Sequence, residues 1–118
     1  MGYSVQRSLA CQTDLETIFD HLIAAYTDLG SDIADAFDQA EKRLFEIETI
    51  IDALAQTPHQ GTLWPEVMAG LRWTTKNRAI LYFTVDETTQ TIFVLAVFFG
   101  GQDHKTHILD RIASNQIG

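Results

Sequence analysis

The sequence predicts an α+β fold: an antiparallel sheet of about four strands, with an N-terminal two-helix hairpin packed on it and a short C-terminal helix. Three features lead there. Residues 92–99 are apolar without a break and are stopped by Gly100-Gly101. They are β-branched, aliphatic or aromatic, which suits a central strand buried on both faces. Such a run is far short of the roughly 20 apolar residues a membrane-spanning helix needs. Two long stretches of three-and-four periodicity come earlier in the chain, and the strands that follow are joined by short turns. Helices grouped ahead of a strand meander pack as a layer on one sheet.

Taken in order, residues 3–8 alternate as a short strand, with Tyr3, Val5 and Arg7 on one face. Ser8 is placed to cap a helix, and Thr13 with Glu16 offers a second start of capping-box spacing. Leu15, Ile18, Phe19, Leu22, Tyr26 and Leu29 then form one helical stripe, with Asp14 and Asp20 off it. Cys11 reads as a small buried filler. Gly30 stops this helix and Ser31 is expected to cap the next, so the two run antiparallel. The second helix is expected over residues 32–55, with Ile33, Ala36, Phe37, Ala40, Leu44, Ile47, Ile51 and Leu54 inward.

Residues 57–70 read as a loop punctuated by Pro58, Gly61, Pro65 and Gly70, with Trp64 and Met68 folded back onto the core. Strands follow over residues 71–75, 78–85 and 91–99, with a polar hairpin turn at 86–90. A final helix is expected over residues 103–113, and fraying beyond Ser114.

The 118 residues are expected to form one domain, residues 1–118, with a single core. One cysteine leaves no disulfide framework or cysteine metal cage, and residues 1–10 hold no apolar leader, so a cytoplasmic address is expected. The net charge is −8, unevenly spread: residues 1–60 hold eleven acidic and three basic side chains, residues 61–118 five of each. This field disfavours free nucleic acid and anionic membranes, so neither is expected as a direct partner. It serves solubility and would attract a basic partner segment.

Candidate chemistry is confined to the second half. Arg72, Lys76 and Arg78 lie within seven residues, Tyr82 follows, and Gln102, Asp103, His104 and His107 come after the long strand. If the meander gathers them on one sheet face, the cations can clamp phosphate and the histidine can move a proton near neutral pH. That set suits RNA cleavage by a 2′-hydroxyl. The alternative is solvated strand ends with one structural His–Asp contact. Asp103, His104 and His107 do not fix a coordination geometry, so no metal is expected, and no cofactor motif is present.

Residues 14–18 (DLETI), Pro58 and Gly61, residues 70–72 (GLR), residues 78–83 (RAILYF) and residues 95–104 (LAVFFGGQDH) form a pattern that resembles the RelE/ParE superfamily, the toxin halves of bacterial type II toxin–antitoxin pairs. It implies a RelE-like fold and a cognate antitoxin that neutralises the toxin. RelE-type members cut messenger RNA on the ribosome, using Lys and Arg with a Tyr or His; ParE-type members poison DNA gyrase. As a ribonuclease this chain would use Arg72, Arg78, Tyr82 and His104. Antitoxin or target contacts would fall on Arg72, Lys76, Arg78, Gln102, Asp103, His104 and His107. RelE-type ribonucleases are strongly basic and carry lysines before the arginine that matches Arg72, where this chain reads Thr62-Leu63-Trp64-Pro65-Glu66. Both departures favour the ParE-like reading.

Overall fold

The computed structural model describes residues 2–100 and 103–114. Gly101, Gln102 and the expected fraying past Ser114 lie outside the described residues. The elements are β1 (Ser4–Arg7), α1 (Leu9–Asp28), α2 (Ile33–Ala53), a 3-10 turn (Leu54–Gln56), β2 (Thr62–Leu63), β3 (Arg72–Lys76), β4 (Ala79–Asp86), β5 (Thr91–Phe99) and α3 (His104–Ala113). The fold is α+β, as the pattern of elements predicts.

The sheet has five strands in the order β1-β5-β4-β3-β2. It differs from the expectation in three ways. The loop after α2 contributes a two-residue strand, β2, that pairs with β3. β1 runs parallel to β5 rather than antiparallel. The apolar run of β5 is interior, flanked by β1 and β4, but the middle position belongs to β4. Residues 79–83 of β4 are all buried, which fits a strand covered on both faces.

The β4–β5 register slips between Tyr82 and Phe83. Tyr82 pairs with Ala96 and Phe83 with Val94, so Leu95 is an extra residue on β5. This bulge ends the pairing with β1, whose last partner on β5 is Val94. Beyond that point α1 takes over the open edge. Ser8 Oγ donates to the Leu95 carbonyl at 3.1 Å and accepts from the Cys11 amide at 2.9 Å, while Asp14 Oδ2 accepts from the Val97 amide at 2.9 Å. Ser8 thus caps α1 as its sequence position predicts, and the start at Thr13 is unused.

α1 and α2 cover one face of the sheet. Leu15, Ile18, Leu22, Ile47 and Ile51 pack against Leu81, Phe83, Val94 and Val97. Each large side chain so buried contributes roughly 1.5–3 kcal/mol. The opposite face holds Tyr82, Ile80, Leu95, Phe98 and Trp73, covered by Ile108 of α3 and by Trp64 and Met68. Trp64 and Met68 therefore do fold back, onto this second cluster.

Two features of the hairpin depart from expectation. Asp32, not Ser31, caps α2, accepting from the Asp35 amide at 2.9 Å. Leu29, Ile33 and Phe37 are exposed, although their spacing places them on the apolar stripe. The stripe marks a side of the helix, and at the hairpin tip that side lacks a buried partner. Phe37 keeps one aromatic contact there, edge-on to Phe19 at 5.5 Å.

Candidate functional site

The sheet face under α3 carries an aromatic cluster built on the β3–β4 register. Trp73 sits directly opposite Tyr82, and directly opposed residues share a face. Their rings stack with centroids 6.2 Å apart, and Trp64 approaches Tyr82 at 6.5 Å. Tyr82 Oη and His104 Nδ1 are hydrogen-bonded at 2.8 Å. Burial pushes the Tyr82 phenol up to about 12, with the Asp103 charge adding to the shift. Burial also lowers His104, assisted by Lys105 and opposed by Asp103. Both groups are therefore neutral at pH 7. The bond forms either with the phenol donating to Nδ1 and the ring proton on Nε2, or with Nδ1–H donating to the phenol oxygen.

Lys105 places its ammonium 5.8 Å from the Trp64 ring centroid and 5.4 Å from that of Trp73. His107 stacks on Phe98 at 5.7 Å. Asp103 caps α3, and its side chain accepts from Thr106 Oγ1 at 2.7 Å and from the Thr106 amide at 3.3 Å. These bonds hold its carboxyl below the usual range. Among the described residues no group of three His, Cys, Asp or Glu is placed to hold a metal.

The arginines lie elsewhere. Arg72 opposes Phe83, which packs under the helical hairpin, and its guanidinium donates to the His59 carbonyl at 2.7 Å. Lys76 opposes Ala79 of the same cluster. Arg78 sits in the β3–β4 turn, 5.6 Å from the Phe99 ring centroid. Arg43 of α2 comes within 5.0 Å of the same ring, and donates to the Asn77 carbonyl and, at 2.9 Å, to Glu46. The expectation of one shared face is thus not met. Tyr82 and His104 come together on the α3 side, while Arg72 and Lys76 belong to the hairpin side. Gln102 lies outside the described residues.

Sequence reasoning missed Trp73, Lys105, Arg43 and Asp14. A signal for Trp73 was present: a two-residue turn at Asn77-Arg78 pairs Lys76 with Ala79 and so sets Trp73, not Arg72, against Tyr82. Asp14 was placed off the helical stripe, yet it accepts two hydrogen bonds from Arg111 of α3, at 2.7 and 2.8 Å, besides that from Val97. No local pattern announces that contact, because its partners are 83 and 97 residues away.

Several solved structures are similar to this one, two of them toxin–antitoxin assemblies. The chromosomal ParDE toxin–antitoxin system from P. aeruginosa aligns with a TM-score of 0.64 at 21% identity, over 82% of this chain and 95% of that one. The toxin–antitoxin complex RelBE2 from Mycobacterium tuberculosis aligns with a TM-score of 0.53 at 16% identity, over 85% of this chain and 100% of that one. No family model and no curated protein matches the sequence. The architecture is the RelE/ParE-like fold. Among the described residues no helix is long and apolar enough to cross a membrane.

Proposed function

We propose that this chain is the toxin of a type II toxin–antitoxin module, silenced in the cytoplasm by a cognate antitoxin, and that it acts by binding a protein target. The fold supports the toxin class, because the two similar structures described above are toxin–antitoxin assemblies. The observation that carries the mode of action is the separation of Arg72 and Lys76 from the phenol, which leaves Lys105 as the cation beside the aromatic cluster. A ribonuclease needs a phosphate clamp and a proton-transfer group on one substrate. Here Arg72 is engaged with a backbone carbonyl on one side of the sheet, and Tyr82 is fully buried on the other. A net charge of −8 also denies the chain the counterion-release gain by which basic proteins hold RNA.

Surface contact with a protein such as DNA gyrase requires neither property, and this ParE-like mode is the target reading we favour. Expression without the product of the adjacent reading frame should arrest growth, and co-expression should restore it. Purified chain should inhibit gyrase supercoiling and leave messenger RNA intact in a translation extract. RNA cleavage by the wild type that is lost in Arg78→Ala would overturn the protein-target mode in favour of the ribonuclease. Unimpaired growth together with antitoxin binding would instead mark an inactive antitoxin-binding module.

A further inference from the structure

α1 is bordered by two grooves of opposite charge. The cleft toward the β3–β4 turn is lined by Arg43 and Arg78 and by no acidic residue. The seam where α1 meets α2 holds the other, a groove of about 470 Å³. Leu15, Phe19 and Leu44 supply its apolar lining, and Glu16, Asp20 and Glu48 its charge. Arg7 also borders it, but is held by Glu48 at 2.9 Å and Asp52 at 3.3 Å. Toward the hairpin tip the apolar strip continues. Ile33, Phe37 and Leu44 are spaced by four and seven along α2 and so share one side of it. Phe37 meets the Phe19 ring edge-on.

The surplus of negative charge belongs to the same two helices. Residues 9–53 hold eleven acidic and two basic side chains, against five acidic and six basic in the rest of the chain. Glu16, Asp20 and Glu41 have no ion-pair partner among the described residues. Glu16 and Asp20 stand four apart on α1, a spacing at which like charges repel. Solubility asks for charge alone and not for exposed rings set among the charges. Yet of the seven large apolar side chains exposed among the described residues, five belong to the hairpin: Leu9, Leu29, Ile33, Phe37 and Phe45. Exposed apolar surface rimmed by polar groups marks a binding face.

We propose that this seam is the face by which the chain grips its target, and that it seats a basic segment of that protein. The aliphatic stems of the segment's lysines or arginines lie on Phe19, Phe37 and Leu44, and their cations reach Glu16, Asp20 and Glu41. This assignment rests on the protein-target reading above. A target that handles DNA supplies such segments, because gripping phosphate requires a basic surface.

The test compares the full chain with two double variants, each expressed without the product of the adjacent reading frame and each assayed pure against DNA gyrase. Glu16→Lys with Asp20→Lys reverses two charges on the seam. Glu66→Lys with Asp110→Lys, at exposed positions on the loop before β3 and on α3, changes the net charge equally. The seam variant should no longer arrest growth, and should need at least about tenfold more protein to half-inhibit supercoiling. It should still bind the product of the adjacent reading frame, which reports an intact fold. The second variant should match the wild type. Added salt should slow association of the wild type with gyrase and leave the seam variant's rate unchanged. Phe37→Ala should weaken inhibition without altering that salt dependence. The proposal is overturned if the seam variant arrests growth as the wild type does, or if the second variant loses arrest equally, which would make net charge the cause. It is equally overturned if the seam variant, with an unchanged circular dichroism spectrum, loses the adjacent product, because the seam then belongs to the antitoxin. A wild type that leaves growth unimpaired overturns the toxin reading and this assignment with it. Activity of the wild type thus tells the two failures apart.

Discussion

At the scale of single residues, Asp14 joins three elements. It takes the Val97 amide of β5 and both guanidinium nitrogens of Arg111 on α3, with 12% of its side chain exposed. Asp14→Ala leaves a cation and an amide without their acceptor, so urea titration should show a loss of about 3 kcal/mol. Asp14→Asn keeps one acceptor and should lose about half of that. Cys11 is fully buried, and burial, with the Asp14 charge second, pushes its thiol up to about 12. It should resist a thiol-specific disulfide reagent at pH 8 and react only as the chain unfolds. The Tyr82 phenol, also near 12, keeps its proton in the folded chain when the unfolded chain has begun to lose it at pH 10.0. Its contribution to stability is whole below pH 10 and is lost as pH rises toward 12. Tyr82→Phe should flatten that alkaline fall in the urea midpoint. His104 behaves in the opposite sense. Its folded value is lowered, so its contribution is complete above 6.5 and declines as pH falls below that. Acid should therefore loosen α3 first, and the fluorescence of Trp64 and Trp73 should report it.

At the scale of elements, the joint between β1, α1 and the β5 bulge was half legible in the sequence. Ser8 announces itself as a cap because capping is decided within four residues. The bulge at Leu95 does not, since an unbroken apolar run gives no alternation from which a slipped register can be read. The two meet in one hydroxyl: Ser8 Oγ serves the helix amide of Cys11 and the bulged carbonyl of Leu95. Ser8→Ala should thus cost about 2 kcal/mol, at the upper end for a helix cap, and Ser8→Thr less. The β3–β4 turn predicts a gain instead. Arg78→Gly relieves a left-handed residue and should raise stability by about 1 kcal/mol in thermal unfolding. Gly61 is the reverse case. Its φ is 87°, and a β-carbon would sit 2.4 Å from the Trp73 carbonyl oxygen, so Gly61→Ala should detach the short β2–β3 pairing. The inward stripe on α2 was read correctly from Ala36 to Leu54 except at Phe37, and it fails again at Ile33. Periodicity reports direction around a helix and is silent on where the neighbouring layer ends.

At the scale of the whole molecule, element types, order and the α+β class followed from hydrophobic period and turn residues, apart from β2, which was read as loop. The site residues did not fall on one face, because face assignment in a meander depends on pairing register. One residue of slip moves Arg72 away from Tyr82 and puts Trp73 in its place. The charge division between the halves survives in three dimensions as a hairpin rich in carboxylates, against which a cleft without any stands out. The sheet borders matter as well. One border strand has four residues and the other two, and α1 seals the rest of β5 with the side chains of Ser8 and Asp14. Long rows of unpaired amides recruit further copies of a chain. The described residues offer almost none, so copies of this chain can stay dispersed rather than being lost to fibrils.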